Sequence, residues 1–589
     1  MNDKSEIAQN NVRFFSQVFF CSKCFVPIIP QKEAICFEEN FSPKCPFCHN
    51  STNYLSSDLR PVFPEERLLL ELLLKKEPFS LAKSSVWNNT NRYYIDGKVV
   101  SISSSVFRNA DCSELKKELE KINQTQKEKI ADAQKEFNHQ IEKFIQANKI
   151  RLDFIKNEAF VFVQNTINDF SKKNIKSSSN LQDSTENVLD RVVISFSGGK
   201  DSSATADIVL KATGNPYTTH LFCNTTLEFP STLDYANRYR KSHTLVEFRI
   251  AQNTDQDFFE VCKQIGPPAR MMRWCCSMFK TGPITRVLNR KFGSAQILTF
   301  YGIRKNESVA RSKYSRVSEN NENVKIQKQT VASPIFDWKD IDVWLYLLGE
   351  KVDFNDAYRL GYDRVGCWCC PNNNDRAQFL SRIYMSEKSQ NWRNFLIDFA
   401  KQIGKPDAEK YVDSGKWKAR QGGNGVPSSE DVKLKFTACT SEEHSKIYKL
   451  VKPFDDSFLN MMIPFGKLAP ELGRKLLNET LIIDSKTKIP IISVQPFNQS
   501  GFIHAVKIRT MNVKNHDDLQ RKISYQVRKF NACRACLKCE SVCKSGAISL
   551  SENEYYINPE KCIHCKKCVT EKYLVGGCMM EKYLRTKEK

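Results

Sequence analysis

The chain has 589 residues, enough for about three or four domains, and its 41% hydrophobic content excludes a mainly disordered protein. Lysine and arginine total 89 against 67 acidic residues, which gives a formal net charge of +22. The amino terminus lacks a basic start followed by an apolar stretch, and no run approaches 18 apolar residues. We therefore expect a cytoplasmic protein without a secretory signal or a membrane span.

The 22 cysteines are too many and too clustered for ordinary core thiols, and the chain is too long for a disulfide mini-protein. Twelve of them lie in C-x2-C spacings, which bring two sulfurs onto one metal centre. The composition therefore predicts a metalloprotein in a reducing compartment.

The first pair of C-x2-C elements lies near the amino terminus. Four thiolates can close a tetrahedron around zinc, and a closed shell leaves no position for catalysis. We predict a structural zinc ribbon; the alternative is four unligated thiols on turns. The predicted zinc ligands are Cys21, Cys24, Cys45 and Cys48.

Composition and periodicity divide the rest of the chain. Asp96-Gly97 between β-prone residues predicts a hairpin. The Lys-, Glu- and Gln-rich stretch beyond residue 113 predicts one long helix or a helical hairpin, followed by a Ser- and Asn-rich linker at 176–185. The predicted regions are a zinc ribbon (1–60), a β-rich extension (61–112), a long helical segment and linker (113–185), an α/β domain (186–430), a small α+β domain of unknown role (431–525) and a cysteine-rich tail (526–589).

Apolar strand patterns alternate with helical patterns in the central region. Strands are predicted at 192–195, 221–223, 297–301 and 331–335. This alternation predicts an α/β domain with a mostly parallel sheet.

A glycine-rich loop follows the first of these strands and leads into a helix-compatible run. Two glycines permit a tight turn that directs backbone N–H groups and a helix N-terminus at an anion, and the glycine spacing differs from the Walker pattern. The alternative is a glycine turn with incidental charge. The candidate phosphate-binding residues are Ser197, Gly198, Gly199, Lys200, Asp201, Ser202 and Ser203.

The loop sequence resembles the SGGKDS signature of PP-loop (N-type) ATP pyrophosphatases, which implies an adenine nucleotide alpha hydrolase-like core that binds ATP with Mg²⁺. The element from residue 302 to 311 resembles the G-x-R-x-x-E-S-x-x-R motif of the phosphoadenylyl-sulfate (PAPS) reductase branch. This resemblance implies nucleotide contacts from Gly302, Arg304, Glu307, Ser308 and Arg311. It implies catalytic roles for Lys200, Asp201, Arg304 and Arg311.

A C-C pair and a later C-x2-C element form a second four-cysteine set. The pattern resembles the [4Fe–4S] site of adenylyl-sulfate reductases, which implies Cys275, Cys276, Cys367 and Cys370 as ligands. Cys369 is either a spare thiol or the ligand in a shifted register. Zinc and unligated core thiols are the alternatives.

Two departures separate this chain from the sulfonucleotide reductases. It lacks their nucleophilic C-terminal cysteine segment, and it retains Lys200 and Asp201. Both departures favour ATP-dependent adenylation followed by sulfur transfer. The G-C-W-x-C element is similar to that of the PAPS-reductase-like component of DNA phosphorothioation systems, which implies a DNA or tRNA substrate and a cysteine desulfurase or another sulfur donor.

The tail resembles a bacterial two-cluster ferredoxin, in which the fourth cysteine of each run binds the other cluster. It departs from that pattern at Lys544 and in the spacing before Cys578. A zinc module is the alternative. The implied [4Fe–4S] ligand sets are Cys533, Cys536, Cys539 and Cys578, and Cys562, Cys565, Cys568 and Cys543. With the second four-cysteine set, this gives three [4Fe–4S] clusters.

Three functions remain open on the sequence. The leading hypothesis is an ATP-binding iron–sulfur enzyme that transfers or reduces sulfur on nucleic acid or a nucleotide, with electrons from a redox partner through its own tail. The second is a ferredoxin-fed reductase of adenylyl or phosphoadenylyl sulfate. The third is a nucleic-acid-binding defence-complex subunit whose clusters are structural or sensory. The basic charge does not choose between them, because nucleotides are also anions.

Overall fold

The computed structural model describes residues 17–30, 42–177, 188–293, 295–319, 329–430, 432–551, 554–570, 574 and 577–586. Most of the predicted linker therefore lies outside the described residues. Within these ranges, no helix combines the length and apolar character needed to cross a membrane.

Two small antiparallel sheets form the amino-terminal part. Strands β1 to β3 pair in the order β2-β1-β3, and strands β4 to β7 pair in chain order. Asp96 and Gly97, both at positive φ, turn the predicted hairpin between β6 and β7. The elements are β1 (Val18–Cys21), β2 (Val26–Ile28), β3 (Asn53–Ser56), β4 (Arg60–Pro61), α1 (Pro64–Leu73), β5 (Val86–Asn89), β6 (Arg92–Ile95), β7 (Lys98–Ser101) and α2 (Ser104–Asn109).

The helical segment consists of three helices, whereas the sequence predicts one long helix or a hairpin. They are α3 (Cys112–Thr125), α4 (Lys127–Ala147) and α5 (Lys149–Ser177). The second break falls at Asn148, whose side chain accepts from Ile29 N at 2.7 Å and donates to Pro27 O at 2.9 Å. These bonds fix the break against the N-terminal strands.

The central domain is the predicted α/β fold. Its six-stranded sheet has the order β10-β9-β8-β11-β13-β12, and every pair is parallel except β12 with β13. The elements are β8 (Val192–Phe196), α6 (Lys200–Thr213), β9 (Thr219–Cys223), α7 (Pro230–Ser242), β10 (Glu247–Ala251), α8 (Phe258–Ile265), α9 (Trp274–Cys276), α10 (Gly282–Phe292), β11 (Ile297–Tyr301), β12 (Val317–Glu319), β13 (Gln329–Ala332), α11 (Asp340–Gly349), α12 (Asp375–Tyr384), α13 (Ser386–Gln402) and α14 (Ala408–Asp413).

A six-stranded antiparallel sheet, ordered β14-β15-β19-β18-β17-β16, precedes the cysteine-rich tail. One apolar core joins this sheet to α8, α13 and the tail. Helix α16 crosses the boundary predicted at residue 526, so the two regions are structurally continuous. The elements are β14 (Phe436–Ala438), β15 (Ser445–Leu450), α15 (Asp456–Asn460), β16 (Lys467–Ala469), β17 (Thr480–Ile483), β18 (Pro490–Gln499), β19 (Phe502–Thr510), α16 (His516–Ala532), α17 (Lys538–Val542), β20 (Ile548–Leu550), β21 (Tyr555–Ile557), α18 (Lys567–Thr570) and α19 (Met579–Leu584).

Candidate functional site

The glycine-rich loop runs from the carboxyl end of β8 into the first turn of α6. Gly198 has φ = +70°, and a Cβ there would lie 2.9 Å from the Thr232 side chain, so the position suits glycine. Asn355 donates to Gly198 O at 3.2 Å, and the Lys200 N–H donates to Tyr358 Oη at 3.0 Å. These bonds fix the loop where the N-terminus of α6 meets the carboxyl edge of the sheet, a common place for phosphates to bind.

The serines of the loop are engaged within it. Ser202 Oγ donates to Gly199 O at 2.8 Å and accepts from the Ser197 N–H at 3.1 Å. Ser203 Oγ donates to Gly199 O at 3.1 Å and accepts from Tyr235 Oη at 2.8 Å. The sequence predicts all three hydroxyls as ligand donors, but here Ser202 and Ser203 are buried and shape the loop.

Lys200 lies in a buried ion-pair network. Its Nζ lies 3.3 Å from Asp201 Oδ2 and 3.0 Å from Asp340 Oδ1. Arg304 contacts the same two carboxylates, with Nε 2.6 Å from Asp201 Oδ1 and Nη2 2.7 Å from Asp340 Oδ1. Burial alone would lower the pKa of Lys200, but the two carboxylates outweigh it and raise this pKa, so the amine stays charged.

The segment 302–311, which follows β11, supplies Arg304 and is held together by contacts of Glu307. Gly302 passes so close to the backbone of the first turn of α6 that there is no room for a Cβ. Glu307 accepts from the Arg304 N–H at 3.1 Å and forms an ion pair with Arg311, while the Arg311 N–H donates to Ser308 Oγ at 3.2 Å. Of the residues predicted here, Arg304 forms ion pairs within the Lys200 network, and Arg311 is close enough to Asp201 for their charges to interact.

Asp58, which the sequence analysis did not identify, reaches this network from the amino-terminal region. Its carboxylate accepts from the N–H groups of Asp340 at 3.0 Å and Ile341 at 3.1 Å, at the start of α11. Burial and the Asp340 charge raise the pKa of Asp58 to about 6, although Arg304 opposes the shift. No local pattern marks this residue, because its role depends on a contact nearly 300 residues away in the chain.

The β-rich extension also braces the site. Arg60 donates through Nε to Asp363 Oδ1 at 2.6 Å and pairs with the buried Glu66. Arg376 contacts both of these carboxylates. Burial would raise the pKa of Asp363, but Arg376 and Arg60 outweigh it and lower this pKa.

The tandem cysteines lie on an interrupted helix. Cys275 and Cys276 end α9, and Ser277–Thr281 forms a π-helical turn before α10 begins. Such turns are rare and occur frequently at functional sites. Trp274 is fully buried and donates to Gly266 O at 3.2 Å, which fixes the start of this helix.

The C-W-C-C segment brings further thiols to the tandem pair. Cys370 is close enough to Cys276, and Cys275 to Cys367, for their charges to interact. Cys369 is 5% exposed and packs in the apolar core. Burial raises the pKa of Cys367 to about 12 and also raises that of Cys370, so a metal is needed to hold these sulfurs as thiolates at neutral pH.

A short segment connects this cysteine set to the phosphate loop. Lys200 Nζ donates to Asp363 O at 3.5 Å. The next residue, Arg364, is close enough to both Arg311 and Cys370 for their charges to interact. The candidate nucleotide site and the four-cysteine site are therefore neighbours.

None of the 21 cysteines among the described residues forms a disulfide. In the ribbon, the four Sγ atoms lie within 4.8 Å of one another, and those of Cys21 and Cys48 are 3.5 Å apart. Zn–S bonds of 2.3 Å in a tetrahedron place sulfurs about 3.8 Å apart, so this set can hold one metal ion. The set consists of Cys21, Cys24, Cys45 and Cys48.

The tail brings together two further sets, in which the thiol charges interact within each set. The inner set is Cys533, Cys536, Cys539 and Cys578. The outer set is Cys543, Cys562, Cys565 and Cys568. Both fit the donor chemistry of four-iron clusters, and their metal content stays a prediction.

The tail packs directly on the helix that follows the tandem cysteines. Gly282, at the start of α10, has no room for a Cβ against Leu537. Arg286 pairs with the buried Glu540 at 2.9 Å. Tyr583 of the tail is close enough to Cys276 and Cys536 for the charges of these thiolates to raise its pKa, although burial is the larger cause. The inner set therefore adjoins the site formed by Cys275, Cys276, Cys367 and Cys370, called the C-C site below.

Lys529 was not identified from the sequence either. It is 1% exposed and donates through Nζ to Cys568 O at 2.5 Å. Burial would lower its pKa, but surrounding thiols of both tail sets, including Cys539, outweigh it and raise this pKa. The only sign of this residue in the sequence is its position four residues before the first cysteine of the tail. That position alone does not distinguish a buried lysine from an exposed one.

Comparison with known proteins covers part of the chain. Residues 191–373 match the family model of the phosphoadenosine phosphosulfate reductase domain. The uncharacterised protein MJ0066 of Methanocaldococcus jannaschii is 30% identical over 274 residues, which cover 46% of this chain and 51% of that protein. An adenosine 5'-phosphosulfate reductase of Neisseria meningitidis is 37% identical over 98 residues, covering 17% of this chain and 36% of the enzyme. A PAPS reductase structure from Candida auris aligns at 17% identity and a TM-score of 0.25, covering 31% of this chain and 82% of that one.

The parallel sheet and the glycine-rich loop at its carboxyl edge define the class, an α/β domain built like nucleotide-binding proteins. Residues 191–373 resemble the phosphoadenosine phosphosulfate reductase domain family, and this match covers about a third of the chain. The alignment spans about half the length of MJ0066, and the ribbon, the antiparallel sheet and the tail lie outside the matched domain.

Proposed function

We propose that this protein is an iron–sulfur enzyme that binds ATP or another adenylyl nucleotide with Mg²⁺ and carries out ATP-dependent sulfur transfer on nucleic acid or a nucleotide. The observation that carries this proposal is the short segment of Asp363 and Arg364, which contacts Lys200 at one end and adjoins Cys370 at the other. Nucleotide chemistry and electron delivery would therefore take place side by side.

The loop residues have distinct roles in this proposal. The N–H groups at the start of α6 and the Lys200 amine hold the phosphates, and Arg304 and Arg311 neutralise charge that develops on them. Asp201 and Asp340 orient both cations and offer carboxylate oxygens of the kind that Mg²⁺ prefers.

Residues of the chain fit three four-iron clusters and one zinc ion by donor type and grouping. The clusters would supply single electrons, and zinc would hold the ribbon. The chain's own contribution is to bury the thiols beside the nucleotide loop and to exclude water from Lys200, whose side chain is 4% exposed.

ATP–pyrophosphate exchange under anaerobic conditions, with candidate nucleic-acid substrates, tests the adenylation step. Lys200→Ala should lower exchange at least 100-fold, because the cation that holds the leaving phosphates is lost. Lys200→Arg should retain part of the activity, and Lys211→Ala, a half-exposed ion pair on the same helix, should leave it unchanged. Unchanged exchange in a folded, iron-replete Lys200→Ala protein would contradict the assignment of this loop as the phosphate-binding site.

A second candidate is reduction of adenylyl sulfate, favoured by the 37% identity to the Neisseria meningitidis reductase. Anaerobic incubation of the reduced protein with adenylyl sulfate, followed by sulfite analysis, separates the two. ATP-independent sulfite formation supports the second candidate, and pyrophosphate release without sulfite supports the first.

A further inference from the structure

The two cysteine sets of the tail differ in exposure. In the inner set, Cys536, Cys539 and Cys578 are all buried at 7% exposure or less. In the outer set, Cys565 is exposed, and the neighbouring Ile563 side chain is 65% exposed. A cluster on the outer set would therefore be the one nearest to solvent, and the inner set lies between it and the C-C site.

The surroundings of the outer set are basic. Within two residues of its cysteines the sequence has one acidic side chain, Glu560, and four lysines. Lys566 is close enough to Asp484 for their charges to interact, whereas Lys544 and Lys561 are exposed. The lysines of this outer-set surface are Lys544, Lys561, Lys566 and Lys567.

The outer-set surface rests on a rigid base. His564 Nδ1 lies 2.8 Å from Ile463 O, and Lys566 Nζ lies 6.0 Å from the centre of the Phe465 ring. Pro464 lies between these two contacts and lines a small depression beside Cys565. The exposed Ile563 side chain is surrounded by lysines on a loop held by these contacts. Such a surface suits a small, transient protein interface in which charge attraction guides the partner's approach.

We propose that the outer-set surface is the docking site for an acidic protein that carries single electrons, and that electrons enter the molecule there. This inference rests on the proposed function, because it supplies the electrons that the redox step consumes. In the transfer, the carrier loses one electron and the outer cluster gains one, with no bond made or broken. The exposure of Cys565, a predicted cluster ligand, favours a redox protein as the partner. A nucleic acid would need only the lysines.

Stopped-flow reduction of the holoprotein by flavodoxin hydroquinone, an acidic one-electron carrier, tests the proposal. Lys544→Glu combined with Lys561→Glu should lower the second-order rate constant at least tenfold and abolish its decrease with rising salt. Reduction by dithionite and the iron content should stay unchanged. The matched control is Lys129→Glu with Lys135→Glu, two exposed lysines of α4, which should leave the flavodoxin rate unchanged.

Equal flavodoxin rates in the two double variants would overturn the proposal. Loss of binding to a 20-nucleotide single strand, with flavodoxin reduction intact, would overturn it in favour of a nucleic-acid surface. ATP–pyrophosphate exchange needs no electron carrier, so intact exchange together with failure of the flavodoxin test would refute the docking surface alone. Absence of exchange in the wild-type protein would refute the proposed function instead.

Discussion

Two carboxylates neutralise the cations beside the phosphate loop. Lys200 and Arg304 are both neutralised by Asp201 and Asp340, so the loop has no free cation among these four groups. An incoming triphosphate must therefore compete with carboxylates for the same cations, unless Mg²⁺ takes over the carboxylates. This arrangement explains why we expect nucleotide affinity to depend strongly on Mg²⁺.

Asp58 should make nucleotide binding depend on pH. Its raised pKa, about 6, means that the carboxyl is neutral below pH 6 and negative above it, beside Arg304. Affinity for an anionic nucleotide should therefore fall as pH rises from 5 to 7.5, by roughly fivefold beyond the effect of the nucleotide's own titration. Calorimetric titration with ATP at several pH values should show this component in the wild type and not in Asp58→Asn. Parallel pH profiles for the two proteins would contradict it.

Lys529 should set the potentials of the proposed tail clusters. A buried cation beside two sets of thiolates stabilises the reduced, more negative form of a cluster. Lys529→Met should lower the midpoint potential of at least one tail cluster by roughly 50–100 mV in an EPR-monitored titration. Lys529→Arg keeps the charge and should stay close to the wild type. Identical potentials in an iron-replete Lys529→Met protein would refute this role.

At the scale of elements, the helix around the tandem cysteines joins the functional parts. Its π-helical turn follows Cys276 directly, and α10 then packs against the tail through Gly282 and Arg286. One end of this helical segment therefore places thiols beside the glycine-rich loop, and the other end packs against the tail.

Four of the six strands of the α/β domain were predictable, because each is an apolar run in the alternation of strands and helices. The sequence did not predict β10 and β12, which have charged residues among their few apolar ones. The strand predicted at 297–301 coincides with β11, whereas the one predicted at 331–335 ends earlier, at Ala332. The second break in the helical segment was not predictable, because it depends on the hydrogen bonds of Asn148 with Pro27 and Ile29. Local periodicity contains no information about such a distant partner.

The candidate site divides in the same way. The residues of the glycine loop and the C-x2-C elements were identifiable because spacing alone brings them together. Asp58, Asp340 and Lys529 were not, since each acts through contacts between remote segments. The ligand contact predicted for Ser203 rests on its motif position alone and stays a prediction, since its hydroxyl bonds to Gly199 and Tyr235 in this structure.

At the scale of the whole molecule, three cysteine sets follow one another toward the nucleotide loop. The outer set is exposed at Cys565, three of the four cysteines of the inner set are buried, and the C-C site adjoins both the inner set and the loop. Each four-cysteine centre carries about −2, so four of them would reduce the formal charge from +22 to about +14. The protein would remain basic, which is consistent with the lysines of the outer-set surface.

Metal analysis of the anaerobically purified protein tests the central claim, that this chain holds an electron path to a nucleotide loop, most directly. We predict about twelve iron, about twelve acid-labile sulfide and about one zinc per chain. Replacing Cys276 with Ala should remove about four iron and leave the zinc unchanged. Absence of iron and sulfide from protein purified without oxygen, with about four zinc in their place, would contradict the electron path.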